Sequence, residues 1–402
     1  MTDVLIVGGG PAGIMAGLLF ARAGVTVKVI EKHADFFRDF RGDTVHPSTM
    51  EILGQLGLLE RFLQRPHNRI TKARIRLEDR YWNIGDLAHL DTPASFIAMM
   101  PQWDFLDFLR DEADRYPPFE LVMEEPVTGF VEKQGRVTGV RYASGGEESA
   151  GKLVIAADGR SSLVRTTGML AVGGLSAPMD VLWFKLPKVD DGGDALRGSV
   201  QPGRMVVLID RDDYWQVAFL IPKGAESEVR DRGLAWLRSE VRLAFPDLDL
   251  AADVLTSMDD VKLLSVAVDR LFNWSRPGLL AIGDAAHAMS PIGGIGINLA
   301  IQDAVAAANI LAATLAAGES VDHLLPKIQH RRMMPTRVIQ AGQVAAQNNI
   351  IGRVLGGAPV RAPWPIKLLD RFPLLRRIPG RIIGLGVRRE RVRSPDAFRN
   401  LA

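Results

Sequence analysis

At 402 residues, 47% hydrophobic and 24% charged, the chain has the length for two domains, or for one with a large insertion, and the balance of a folded globular protein. It has no cysteine, which excludes disulfides, thiolate metal sites, cysteine nucleophiles and a cysteinyl cofactor link, and no other metal-ligand cluster stands out. The net charge of +2 hides an asymmetry: from Arg361 to Arg399 eleven Arg or Lys accompany three acids, which leaves the preceding body near −6, with no basic face for nucleic acid.

Met1 to Val7 lacks a basic leader region and runs directly into glycines, so no signal peptide is expected. The most apolar long stretch, Ile297 to Ala317, carries Asn298, Gln302, Asp303 and Asn309, which suits a buried helix better than a membrane span. A cytoplasmic protein is the resulting expectation.

The chain opens with Val4 to Val7, a short apolar strand, followed by Gly8-x-Gly10-x-x-Gly13 and a helix-forming run from Ile14 to Ala23. In such a strand, turn and helix, Gly8 permits the sharp turn, Gly10 lets a pyrophosphate approach the backbone, and Gly13 lets helix and strand pack closely. The first helical N–H groups then face the phosphates. Gly24 stands where a C-terminal cap is expected, and Val25 to Ile30 forms a second strand ending in Glu31, placed to accept the hydroxyls of an adenosine ribose. The fingerprint alone leaves FAD and NAD both open.

Ser48 with Glu51 reads as a capping box opening a helix from Thr49 to about Leu63, with Arg41 in the preceding loop, either pairing with phosphate or solvated. Lys72 to Leu77, Tyr81 to Ile84 and Ala94 to Met100 read as strands, and Gln102 to Tyr116 as a helix with Trp103, Leu106, Leu109 and Ala113 on its core face. Val127 to Val131 and Arg136 to Tyr142 flank a Gln134-Gly135 turn. Lys152 to Ala157 is a buried strand ending in Asp158-Gly159. The carboxylate there either meets a ligand in the crevice of an open α/β sheet or caps the following helix.

From Ala177 the texture changes to antiparallel-type strands, Val181 to Leu186, Arg204 to Ile209 and Tyr214 to Ile221, then a helix from about Ala225 to Ala244. This block has no nucleotide fingerprint and is assigned with 72–100 to a substrate-covering domain, with Trp183 and Trp215 as pocket aromatics or plain sheet core. The second strong signal follows: an apolar strand ending in Gly283-Asp284, a glycine-rich loop through Pro291 and Gly294, and a long helix opening near Asn298. His287 reads as structural.

Taken together, Gly8-x-Gly10-x-x-Gly13 with Glu31, then Asp158-Gly159, then Gly283-Asp284 with Pro291, Gly296 and Asn298 resemble class A flavin-dependent monooxygenases, the para-hydroxybenzoate hydroxylase-like family, over roughly residues 1 to 350. The resemblance implies an α/β fold. A Rossmann-like FAD-binding domain (1–71, 101–176 and 266–357) would carry an inserted, mainly antiparallel substrate domain (72–100 and 177–265) and a C-terminal helical, basic amphipathic segment (358–402). It implies non-covalent FAD. Gly8, Gly10, Pro11, Ala12, Gly13, Glu31 and Lys32 would hold its adenosine half, and Arg41 and Gln102 its phosphates and ribityl. Gly283 and Asp284 would bind ribityl, while Gly294, Gly296, Ile297 and Asn298 would lie along the ring. Asp158 and Gly159 match a motif tied to both FAD and NAD(P)H, and Pro291 would line the reacting face.

By the same resemblance, NAD(P)H reduces the flavin, O2 adds at C4a, and the hydroperoxide hydroxylates an aromatic or polyketide-like small molecule. Two departures stand out. Ile295 replaces a glutamine common among relatives, which implies a drier pocket, and the residues that ionise para-hydroxybenzoate have no counterpart here. His46 is a candidate base or hydrogen-bond donor. The competing expectations are a reductase of prenyl double bonds or a halogenase of the same fold, and a non-catalytic lipid-binding or carrier protein. For the tail, contact with an anionic membrane competes with simple packing on the body.

Overall fold

The computed structural model describes residues 2–37, 44–77, 80–175, 177–188, 196–211, 213–246, 255–358 and 361–399. Its centre is a six-stranded sheet in the order Ser275–Arg276, Leu279–Ala281, Leu153–Ala156, Val4–Val7, Val27–Ile30, Phe119–Val122. All neighbours are parallel except the outermost Ser275–Arg276 pair. Val4–Val7 and Leu153–Ala156 are apolar at every position because both faces are covered. On one face lie helices Pro11–Arg22, Gln102–Ala113 and Gly296–Ala316, packed on Ile6, Val29, Ile155 and Ile282. On the other, Leu5, Val154 and Leu279 meet Val137 and Val140 of an antiparallel meander. Its tight turn places Gln134 at φ 51° and Gly135 at φ 76°, the left-handed pair expected of a two-residue hairpin.

The second sheet has seven strands in the order Lys262–Leu264, Met179–Pro187, Tyr214–Pro222, Arg204–Asp210, Leu196–Gln201, Lys72–Leu77, Arg80–Asp86. It is antiparallel except where Ser199 pairs with Arg76 in parallel register. Helix Glu226–Ala244, broken at Gly233, covers its outer face. The strand expected at 94–100 is shorter, Ile97–Met99, and pairs with Thr44–Val45 and Asn68–Ile70 in a small separate sheet.

The capping box does not form. The helix starts at Pro47 with His46 as its N-cap and no side-chain cap, and Glu51 instead binds Arg389 at 2.8 Å and Arg391 at 3.5 Å from the C-terminal tail. It ends at Gln55, and after Gly57 at φ 71° a separate turn, Leu59–Leu63, follows. The stretch Ile292–Ala316 is long and apolar enough to cross a bilayer by composition, but most of it is buried among the core helices.

The tail divides in two. Helices Trp364–Arg371 and Arg377–Leu385 lie against Arg80–Asp86, where Asp370 binds Arg80 and Asn83 and Gly380 abuts the Asp86 backbone. Residues 388–399 return to the first domain: Glu390 N–H donates to Gln302, Arg393 N–H to Asn309, and Arg22 pairs with Asp396 at 2.9 Å.

Candidate active site

Three strand ends meet at the carboxyl edge of the parallel sheet. Gly8 N–H donates to Ile30 O (2.8 Å), Ala157 N–H to Val7 O (2.8 Å) and Ile282 N–H to Ala156 O (3.0 Å), which sets Gly8, Asp158 and Gly283-Asp284 side by side. A Cβ on Gly8 would lie 2.5 Å from Ala157 O, and one on Gly13 would run into Gly8 O. A Cβ on Gly283 would stand 3.0 Å from that of Ala12 in the first helix, so the third corner touches the first. Gly10 is the exception: its nearest neighbour would be Ala157 O at 4.0 Å, leaving room beside the backbone. Gly10 is also the N-cap of the Pro11–Arg22 helix, and Pro11, which lacks an N–H, takes the first position, leaving the N–H groups of Ala12 and Gly13 at the positive end.

Glu31 is nearly buried, and its carboxylate accepts from Gly9 N–H (2.8 Å) and His33 N–H (3.1 Å), clamping the fingerprint turn to the second strand. Lys32 is exposed and Gln102 half-buried at the start of its helix, whereas Arg41 lies outside the described residues. Asp158 takes the capping role, one of the two foreseen for it. One oxygen caps Leu163 N–H at 2.9 Å, while the other is buried without a partner, and burial holds the carboxyl above its ordinary range. Gly159 follows at φ 81°.

Arg160 was not singled out in the sequence, although its place directly after Asp158-Gly159 was a usable signal. It donates to Asp284 (3.0 Å) and Met289 O (3.2 Å), while its Nη1 is buried with no partner. The corner thus holds an open glycine backbone, a helix amino end and two orphaned buried polar atoms, which together fit a bound dinucleotide.

The glycine-rich loop is pinned from several sides. Asn298 accepts from His46 N–H and Thr49 Oγ1, both at 2.8 Å, and donates to Thr44 O (3.1 Å) and Gly294 O (3.2 Å). Gly294, at φ 61°, has no room for a Cβ beside Thr44, which donates to its carbonyl at 2.7 Å. Gln343 and Gln347, from the helical stretch after 325, hold Ser290 and Ile292 O, fixing half-exposed Pro291 between them. Gly296 opens the long helix with Ile297 in its first turn, and Ile295 packs with Met289, Leu299 and Ile339, an apolar setting. Thr44, Thr49, Gln343 and Gln347 carried no signal in the sequence, since their roles depend on partners some 250 or 50 residues away.

His46 is fully buried. Its Nδ1 lies 2.8 Å from Ile383 O, an acceptor, so Nδ1 carries the proton and Nε2 is a lone-pair acceptor with no partner. Burial lowers its pKa to about 4, so the ring is neutral near pH 7. Of the two roles foreseen, the donor is spent on Ile383 O, which leaves Nε2 as an acceptor. His287 is structural: its Nε2 meets Asp303 at 2.6 Å, and Asp303 also accepts from Gly283 N–H (3.1 Å) and Arg332 (2.8 Å). Burial opposes ionisation of Asp303, but His287 and Arg332 hold its carboxyl below the usual range.

The two tryptophans part company. Trp183 pairs with Ala218 on the inner face of the large sheet, in clusters that include Ile209, Met99, Leu385 and Ile292. Trp215 pairs with Leu186 on the outer face, packed with Val229, Leu237 and Val241 of helix Glu226–Ala244. Side chains alternate along a strand, and this register sends Trp215 away from the flavin corner, which corrects its assignment to the pocket.

A family model described as an FAD binding domain matches residues 1–341. The chain belongs to this family. It is 33% identical over 402 residues to 6-methylpretetramide 4-monooxygenase of Streptomyces rimosus, covering 99% of this chain and 95% of that one. It is 27% identical over 312 residues to a rifampicin monooxygenase of Streptomyces venezuelae, covering 76% and 62% respectively. In fold it resembles p-nitrophenol 4-monooxygenase PnpA from Pseudomonas putida DLL-E4, with TM-score 0.80, 21% identity and coverage of 97% and 99%. The protein is an FAD-dependent monooxygenase, and the reductase, halogenase and carrier expectations give way to that reading.

Proposed function

We propose that this monooxygenase hydroxylates an aromatic, polyketide-like small molecule, RH + NAD(P)H + O2 + H⁺ → ROH + NAD(P)⁺ + H2O. The observation that carries the reading is the apolar inner face of the second sheet, with Trp183, Val207 and Ile209, set toward the Ile292 loop of the flavin corner. A flat apolar ring suits such a wall, and the relatives named for 6-methylpretetramide and rifampicin agree with it.

FAD held here would supply the hydride-accepting and O2-activating chemistry. The residues here hold and shield. Gly8, Gly10 and Gly13 give the diphosphate its backbone cradle; Glu31 borders the ribose, and Asp158, Arg160 and Asp284 the ribityl side. Asn298 fixes the loop before the long helix, whose amino end, Gly296 to Leu299, would hold the flavin ring together with Pro291. Ile295 keeps water from that edge. His46 Nε2 is the acceptor available for a substrate hydroxyl.

Stopped-flow reduction by NADH and NADPH over a panel of phenols and polyketides tests the proposal. One aromatic compound should accelerate flavin bleaching and give a product carrying one oxygen from ¹⁸O2. NAD(P)H oxidation that needs no O2 and yields a reduced product would refute it.

A further inference from the structure

Of the sixteen large apolar side chains exposed among the described residues, seven lie between Trp364 and Val387. Trp364, Leu368 and Phe372 recur four apart along the first tail helix, with Lys367 and Arg371 beside them. Ile378 and Ile382 repeat the spacing on the second, beside Arg377 and Arg381, and Leu374 joins the two. Trp364 is 75% and Leu374 70% exposed, whereas Gly380 sits against Asp86, Gly384 against Leu87, Leu90 and Pro47, and Ile366, Ile383 and Leu385 pack inward. An ordinary surface helix buries its apolar stripe and wets its small residues. These two helices bury one apolar side and leave a second apolar row in water.

The orientation is held firmly. Asp370, the single acid between Arg361 and Arg388, is bound by Arg80 and Asn83 and pairs with Arg376 at 3.6 Å, so it offsets one of the seven cations of that stretch. Ile383 O fixes the second helix to His46. We infer that this face docks on an anionic lipid surface: the apolar row enters the interface and the arginines meet the headgroups. A second copy of the chain is a poor partner. Two such faces about a twofold axis would set arginine rows against each other, and pairing with the acidic body of another copy would not close.

Sedimentation of the full-length holoenzyme with phosphatidylcholine vesicles, with and without phosphatidylglycerol, tests this. The enzyme should pellet with the anionic vesicles and release as salt rises. Arg371→Gln with Arg377→Gln should weaken binding by roughly thirtyfold, about fivefold per cation. Trp364→Ser with Leu374→Ser should weaken it without removing the salt dependence, and both double variants should retain FAD and turnover of a water-soluble substrate. Equal recovery of the wild type in the supernatant with both vesicle types would overturn the inference. So would a concentration-dependent dimer that the arginine variants disperse, which would assign the face to a second copy.

Discussion

The flavin corner and the inner face of the antiparallel sheet are built under opposite constraints. At the corner there is no room for side chains: a Cβ on Gly8 would meet Ala157 O, one on Gly13 would meet Gly8 O, and one on Gly283, at φ 60°, would press on the Ala12 Cβ, so glycine suits each position. On the sheet face, Trp183, Val207 and Ile209, with Met99 packed against them, make a wall whose requirement is volume and apolarity, which several residues satisfy. The first region is therefore written in the sequence as a motif and the second only as texture.

The largest expected effect breaks the corner. Gly13→Val should abolish flavin retention and soluble expression, read as loss of absorbance near the flavin band and of a cooperative melt, because its Cβ has no space beside Gly8 O. Next comes Arg332→Met, which leaves buried Asp303 and Glu390 without their shared cation. It should cost about 3–5 kcal/mol in denaturant unfolding and loosen Gly283, whose N–H Asp303 accepts.

The two tryptophans sharpen the comparison. Trp215→Ala should lower stability by about 3–5 kcal/mol with KM unchanged, since the ring fills the core under helix Glu226–Ala244. Trp183→Ala should instead raise KM for the aromatic substrate about tenfold at similar flavin content. Equal KM in both variants would remove the inner face from substrate binding.

A smaller effect concerns pH. The His46 pKa is about 4 when folded against 6.5 ordinarily, so burial favours the neutral ring. Stability is full above pH 6.5 and falls as pH drops toward 4, by about 3 kcal/mol from this group. His46→Asn keeps a donor for Ile383 O and should flatten that part of the profile, measured by thermal unfolding from pH 7 to 4.

Legibility followed contact range. The Gly8 to Glu31 unit, the Gln134-Gly135 turn and the Asp158 and Asp284 strand ends were readable because their geometry is fixed within a few residues. The Ser48–Glu51 box failed because Glu51 had a stronger offer, two arginines more than 330 residues away. Of the two roles open to Trp215 the sheet-core one holds, which the sequence left undecided because a strand's alternation says which residues share a face, while which face looks inward depends on the neighbouring helix. The tail's amphipathic character was legible; that a second apolar row faces outward was not, since that rests on Gly380 and Gly384 fitting the strand and loop beneath them.

The central claim, one coenzyme gripped by three corners, is tested most directly by titrating apoprotein with FAD and following quenching of flavin fluorescence. One FAD per chain should bind, and Gly10→Val, Asp158→Ala and Asp284→Ala, one from each corner, should each raise Kd at least tenfold, about 1.4 kcal/mol. Wild-type affinity in Asp284→Ala together with Asp158→Ala would contradict it.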